Sequence, residues 1–173
     1  MMRLITFWLF HISVLCASAQ NGSYFLSHHA PSEENSDNVC FAMEQDDNGV
    51  MFFAVKAGVL EFDGRAWDLI PGTGAVYAIA KSDAGEIFWA GAKGFGKIGT
   101  NKKGNKELQL ISDAGVSNVF QIIAVGQHVY FLSENNVFVF DDGRAKGIRS
   151  PNPRNTFTGM FDLFGVLYVQ TDR

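Results

Sequence analysis

Four groups of residues in this 173-residue chain carry chemical potential. The first, Gly91-Ala92-Lys93-Gly94-Phe95-Gly96-Lys97-Ile98, comes within one residue of the phosphate-cradling pattern G-x-x-x-x-G-K-[ST]. A working phosphate loop needs a Ser or Thr hydroxyl for Mg²⁺ and a helix whose first amides hold the phosphates. Ile98 ligates no metal, and Gly99-Thr100-Asn101-Lys102-Lys103-Gly104 starts no stable helix, so the stretch reads as a glycine-rich turn between strands. The second, Glu44-x-Asp46-x-Asn48-Gly49, echoes the start of a calcium loop, but Val55 stands where the closing bidentate Glu belongs. It reads as a hairpin turn. The third, His28-His29, lies near Glu33, Glu34 and Asp37. Neighbours on a strand point to opposite faces, and no motif places a third ligand. The fourth is a set of aspartates beside turn glycines: Asp47, Asp63, Asp83 and Asp142. Aspartate in such turns caps its own backbone. His128, at a strand start beside a turn, is expected to face solvent.

No nucleophile stands beside a base, and no two carboxylates sit in matched contexts. The sequence therefore assigns no catalytic, cofactor-binding or metal-binding residue, leaves the ligand-binding residues unknown, and predicts a segment that is not an enzyme. Composition narrows the classes further. With 14 Lys+Arg against 18 Asp+Glu, the chain lacks the basic excess of a nucleic-acid surface. Hydrophobic residues at 47% and charged residues at 18% exclude a disordered tail. Eighteen Gly and 16 Phe against 4 Pro suit short strands and tight turns.

The positioning elements begin after a leader. Arg3, the apolar run Leu4 to Leu15, and Ala17-Ser18-Ala19 read as an export signal over 1–19, cleaved before Gln20. The run is too short to span a bilayer, which takes about 20 apolar residues. Cleavage leaves 154 residues, with a polar segment, 20–37, leading into the body. Cys16 departs with the leader. Cys40, in the apolar run Val39 to Met43, is expected to be a small core hydrophobe.

A turn glycine followed by an apolar-aromatic run then recurs four times: Gly49-Val50-Met51-Phe52-Phe53, Gly85-Glu86-Ile87-Phe88-Trp89, Gly126-Gln127-His128-Val129-Tyr130-Phe131 and Gly165-Val166-Leu167-Tyr168-Val169. The glycines are 36, 41 and 39 residues apart. Phe62-Asp63-Gly64-Arg65-Ala66 is echoed two units on by Phe140-Asp141-Asp142-Gly143-Arg144-Ala145. Each unit divides into four short strands: 39–44, 50–55, 58–63 and 66–70, then 76–81, 86–91, 94–99 and 107–111, then 119–125, 128–133, 136–141 and 145–149. No stretch of the body keeps a helical period. Four-stranded units of about 40 residues, apolar on both faces, predict an all-β, partial β-propeller of about three and a half blades. A two-sheet sandwich is the competing architecture. The blades fall at 38–74, 75–117, 118–153 and an incomplete 154–173. Trp67, Trp89, Tyr77 and Tyr130 are expected between blades. Residues near Gly72 to Ala75 and Ser117-Asn118 are expected nearest the axis.

The run from Asp47-Asn48-Gly49-Val50-Met51-Phe52-Phe53 through Gly58 to Trp67 resembles the first blade of two-component-regulator propellers. Val76-Tyr77-Ala78-Ile79-Ala80, continuing through Asp83 to Gly91 and Phe95-Gly96, resembles that family's second repeat. These propellers are periplasmic ligand-sensing regions of bacterial transmembrane regulators of the triple-tyrosine-motif type. The similarity covers 38–99 and, more loosely, 118–171, where Gly126 lacks the Asp two positions before it. The resemblance implies a propeller, a sandwich domain, a membrane helix and a kinase or helix-turn-helix output, of which this N-terminal fragment would hold the propeller's start. It implies an exported sensor whose ligand is a small molecule or glycan and whose ectodomains self-associate. Contact with the membrane would run only through later parts. A propeller lyase or glycan hydrolase, or a non-catalytic interaction scaffold, is the alternative.

Overall fold

The computed structural model describes residues 27–31, 39–112, 116, 118–150, 152 and 154–172. The chain divides into two compact units, Met1–Ala30 and Pro31–Arg173. The expected leader over 1–19 lies outside the described residues, as do Glu33, Glu34 and Asp37. In the first unit the exposed His29 ring Nε2 lies 3.0 Å from the Ser27 hydroxyl.

The second unit consists of short antiparallel sheets, and no described residue is helical. The first blade holds β1 (Ala42–Gln45), β2 (Met51–Val55), β3 (Gly58–Phe62) and β4 (Trp67–Pro71). The second holds β5 (Val76–Lys81), β6 (Ile87–Gly91), β7 (Gly94–Thr100) and β8 (Lys106–Ser112). The third holds β9 (Gln121–Val125), β10 (His128–Leu132), β11 (Asn136–Asp141) and β12 (Arg144–Arg149). A fourth sheet has two strands, β13 (Phe157–Leu163) and β14 (Val166–Thr171). Within each sheet the spatial order follows the chain order, so every connection is a hairpin. Successive sheets meet through their first strands, β1 on β5, β5 on β9 and β9 on β13. This is the radial plan of a partial propeller.

The recurring glycines now have a backbone reason. Gly49, Gly85, Gly126 and Gly165 sit in hairpin turns at φ of 86°, 79°, 58° and 80°. Glycine populates that left-handed region at no steric cost, which other residues do not. Two boundaries differ from the expected ones. The first strand begins at Ala42, and Cys40 ahead of it is exposed rather than buried, flanked by Val39 and Phe41 that are about half exposed. Val39 and Cys40 precede the sheet, and Phe41 N–H makes the first contact with it, donating to the Ala54 carbonyl at 2.9 Å. The fourth strand runs on through Pro71, which an outer edge tolerates because no further strand needs its missing N–H.

The core lies between the sheets rather than inside any one of them. Phe52, Ala54, Val59 and Ile70 of the first blade meet Val76, Ile79, Ile87 and Trp89 of the second. The opposite face of the second blade sends Ala78, Phe88, Ala90 and Phe95 against Ile122, Val129 and Phe131 of the third. Leu132 and Val137 then meet Phe157 and Met160. Strand β6 shows the consequence, since all five of its residues are buried. Alternate side chains serve alternate neighbours. The aromatic rings concentrate at the second interface, where Phe95 stacks on Phe131 at 4.2 Å and Phe88 lies 5.4 Å from Phe140. Trp89 and Tyr130 lie between blades as expected, whereas Trp67 stays within its own blade, stacked on Phe62 and tilted against Phe53.

Because Phe88 is 1% exposed and couples two blades, Phe88→Ala should cost about 3–5 kcal/mol. Urea unfolding of the variant against the parent checks it, with a loss below about 1 kcal/mol arguing against a packed interface.

Candidate functional site

Hairpin order gives the array two ends. At one end lie the turns at 46–49, 63–66, 82–85, 101–104, 126–127, 142–143 and 164–165. At the other lie the turns at 56–57, 92–93 and 133–135 together with the crossovers that lead into β5, β9 and β13.

The first end is fixed by short polar side chains. Asp63 Oδ1 accepts from the N–H groups of Arg65 and Ala66 at 2.8 Å each, as expected of a turn aspartate. Those bonds hold its carboxyl below the usual range. In the first turn, Asp46 rather than Asp47 takes the capping role, accepting from Asn48 and Val50 N–H at 2.9 Å each. Desolvation raises Asp46, but the bonds from Val50 and Asn48 together outweigh it and leave the carboxyl below its ordinary value. Asp47 instead reaches Lys81 of the next blade at 2.9 Å, and that hydrogen bond raises the lysine. At the third turn Ser82, not Asp83, receives the bond from Glu86 N–H at 3.2 Å. At the hairpin before β12, Asp142 itself adopts φ 45°.

The side chains of the two motif resemblances have partners within the fold. The oxygens of Glu44 and Asp46 are engaged by backbone amides, with Glu44 Oε2 accepting from Lys81 N–H at 3.3 Å. Lys97, the lysine of the phosphate-loop pattern, lies on β7 and pairs with Glu86 at 2.8 Å. The glycines of that pattern serve packing. A Cβ on Gly91 would stand 2.1 Å from the Ala75 carbonyl oxygen, where the crossover into β5 presses on the β6–β7 hairpin. His128 lies 3.6 Å from Asp141 and is partly exposed.

The second end is laced by a repeated backbone bond. Each crossover donates an N–H to the middle hairpin of the blade before it: Gly72 to Ala57 at 2.9 Å, Val119 to Gly91 at 3.1 Å and Phe157 to Glu134 at 2.7 Å. Gly72 to Ala75 and Asn118 belong to this end, while Ser117 lies outside the described residues. The same end carries a polar cleft of about 280 Å³ lined by Asn135, Asn136, Arg149, Ser150 and Asn155. Amides, a hydroxyl and one guanidinium offer paired donors and acceptors with a single positive charge, a set suited to a hydroxyl-rich or carboxylate-bearing ligand. These residues come from the β10–β11 loop, the end of β12 and the next crossover, so no local sequence motif announced them.

A larger cleft of about 630 Å³ lies between the outer strands of the first two blades, with Asp68, Asn101, Asn105 and Glu107 on its walls. Across it Lys106 bonds Glu61 and also stands 4.8 Å over the Phe52 ring. This ion pair bridges two blades at their periphery. Among the described residues, no group of three or more His, Cys, Asp or Glu is placed to hold a metal ion, and no helix is long and apolar enough to cross a membrane.

No family model matches the chain, and no curated protein does. Among solved structures the chain is similar to a catalytically inactive virginiamycin B lyase from Staphylococcus aureus, determined with quinupristin, at 12% identity and a TM-score of 0.50. The match covers 82% of this chain and 50% of that one, so the chain spans about half the neighbour's length. That neighbour is a β-propeller, and at this identity the likeness is one of fold. It supports the propeller and carries no sign of the two-component type. It also corrects one expectation: the sequence predicts a segment that is not an enzyme, yet the neighbour that shares its fold is a lyase. A propeller needs no helix-borne nucleophile or contiguous motif to catalyse, so the lack of one in the sequence does not exclude catalysis.

The close approach at Gly91 yields a direct check. Gly91→Ala should destabilise by about 1–3 kcal/mol through overpacking and should speed exchange of the Ala92 amide, which bonds Ala75 at 2.9 Å. Unchanged stability and exchange would mean that the crossover does not press on the hairpin.

Proposed function

We propose that this chain is the extracytoplasmic ligand-sensing propeller of a membrane-anchored signal-transduction or transcriptional regulator, with a small molecule or glycan taken at the crossover end. The amide-and-guanidinium cleft at that end is the observation that carries the ligand reading. The sensor reading rests on the resemblance of the first two blades, whose quoted residues form β2 to β4 and β5 to β7. Binding would favour one arrangement of paired ectodomains, and the differential affinity for the two arrangements sets the size of the signal.

A second reading is a secreted propeller lyase. The neighbour's activity favours it, and Arg149 supplies a cationic group in the cleft on the crossover side.

A thermal-shift screen with neutral and acidic oligosaccharides separates the two. A ligand at 100 times its Kd should stabilise the chain by about 2.7 kcal/mol, and Arg149→Ala should abolish the shift without lowering the unliganded melting temperature. Turnover of the bound ligand into product would decide for the lyase. A shift that survives in Arg149→Ala would remove the cleft from the account.

A further inference from the structure

Three lysines on the sheets have a carboxylate in reach: Lys81 pairs with Asp47, Lys97 with Glu86 and Lys106 with Glu61. Arg149 differs. It stands in the cleft at the crossover end, whose other walls are Asn135, Asn136, Ser150 and Asn155. Among these residues there is no carboxylate to neutralise the guanidinium, and no aromatic or aliphatic side chain. The strand register sets Asn136 directly opposite Arg149 across β11 and β12. Side chains so opposed leave the same face of the sheet with Cβ atoms about 4.5–5.5 Å apart. A guanidinium fork and a carboxamide therefore stand side by side at the end of the third blade.

The backbone beneath these side chains is held by other groups. Ser133, 4% exposed, fixes the loop, its hydroxyl donating to the Asn136 carbonyl at 3.1 Å and accepting from the Asn136 N–H at 3.2 Å. Phe157 N–H, where the crossover enters β13, donates to the Glu134 carbonyl at 2.7 Å. Walls ordered in advance lower the cost of holding a ligand. The donors then define its chemistry. A guanidinium presents two parallel N–H groups that match the two oxygens of a carboxylate, and the Asn136 amide adds a donor beside them. One positive charge balances a carboxylate but not a phosphate, which carries nearly two negative charges. Carboxamides and the Ser150 hydroxyl both donate and accept, as sugar hydroxyls do. At about 280 Å³ the cleft lies at the small end of ligand sites, which suits one ring rather than a long chain.

We propose that the crossover-end cleft recognises a polyhydroxy carboxylic acid, as a uronate sugar is, with Arg149 and Asn136 on the carboxylate and the other polar walls on hydroxyls. This rests on the reading of that cleft as the ligand site and names the ligand's class, whether the chain senses it or cleaves it. A free sugar acid and the terminal residue of an acidic oligosaccharide present the same group. The larger cleft between the first two blades has the opposite character: Asp68 and Glu107 stand on its walls, and its Lys106 is already bonded to Glu61. An acidic sugar is therefore directed to the crossover end.

Calorimetric titration of the full chain with galacturonate, digalacturonate, galactose and the methyl ester of galacturonate tests this. Galacturonate should bind at least 10-fold more tightly than galactose or the ester, which keep the ring and lack the charge. Tighter binding of digalacturonate would mark the chain end as the source and equal binding the free acid, and either supports the proposal. Arg149→Lys keeps the charge but not the fork, so it should weaken galacturonate binding at least 10-fold. Arg149 is exposed, so circular dichroism of the variant should match the parent. Galactose binding as tightly as galacturonate overturns the carboxylate proposal and leaves the cleft as a site for neutral sugars, so the sensor reading survives that result. Galacturonate binding that persists in Arg149→Ala also overturns it, as does displacement by an equal concentration of sulfate, which would mean a site for anions at large. Binding of none of the four probes overturns it as well, while the thermal-shift screen tests the sensor reading on its own.

Discussion

The structure depends on one constraint: a sheet placed radially between two others must be apolar on both sides. In β6 that requirement reaches its limit, with Ile87 and Trp89 facing the first blade and Phe88 and Ala90 facing the third. A two-sheet sandwich asks for an apolar face only on the inside, and its strands alternate with polar residues outside. Here the alternation is between two apolar sets. The energetic weight therefore lies in the interfaces between blades, which are lined by Phe, Trp, Ile and Val. Surface ion pairs such as Lys97–Glu86 add little by comparison. One buried donor departs from full satisfaction among the described residues: the Trp89 indole N–H, in the first interface, has no acceptor.

Interfaces of this kind leave the loops free to vary while fixing where they stand. Crossovers at one end are bonded to the preceding blade through backbone groups, as in Gly72 to Ala57 and Val119 to Gly91. A side chain ties the next pair: the Gln121 amide donates to the Met160 carbonyl and accepts from Met160 N–H at 2.8 Å each, joining the third blade to the fourth sheet. A rigid frame with adaptable polar loops is the usual arrangement for a binding surface. The cleft of Asn135, Arg149 and Asn155 stands on such a frame.

Much of this fold was legible in the sequence for physical reasons that can be named. The recurring glycines marked turns that require positive φ, and the run of apolar residues without a helical period marked strands buried on both faces. What local pattern did not reveal was set by tertiary position. Cys40 looks like core in an apolar run, but the sheet begins two residues later. Asp46 and Asp47 are indistinguishable by type; the turn geometry gives the cap to the first and the next blade's Lys81 to the second. Ser82 takes the turn bond expected of Asp83. The cleft at the crossover end gathers residues from separate loops, and its chemistry becomes visible only when the third blade is folded. The expectation of a segment that is not an enzyme rests on the lack of a contiguous motif, and a site assembled from loops would leave none.

The central claim is that adjacent four-stranded sheets pack face to face around an axis, and the stacked pair Phe95–Phe131 is the contact that expresses it most directly. These residues stand on β7 and β10, in different blades, with both side chains fully buried. A double-mutant cycle with alanine at each position, read by urea unfolding, measures their coupling. The propeller packing predicts a coupling of about 1 kcal/mol between them. Additivity to within about 0.3 kcal/mol would contradict it, because residues on sheets that do not meet have no reason to couple.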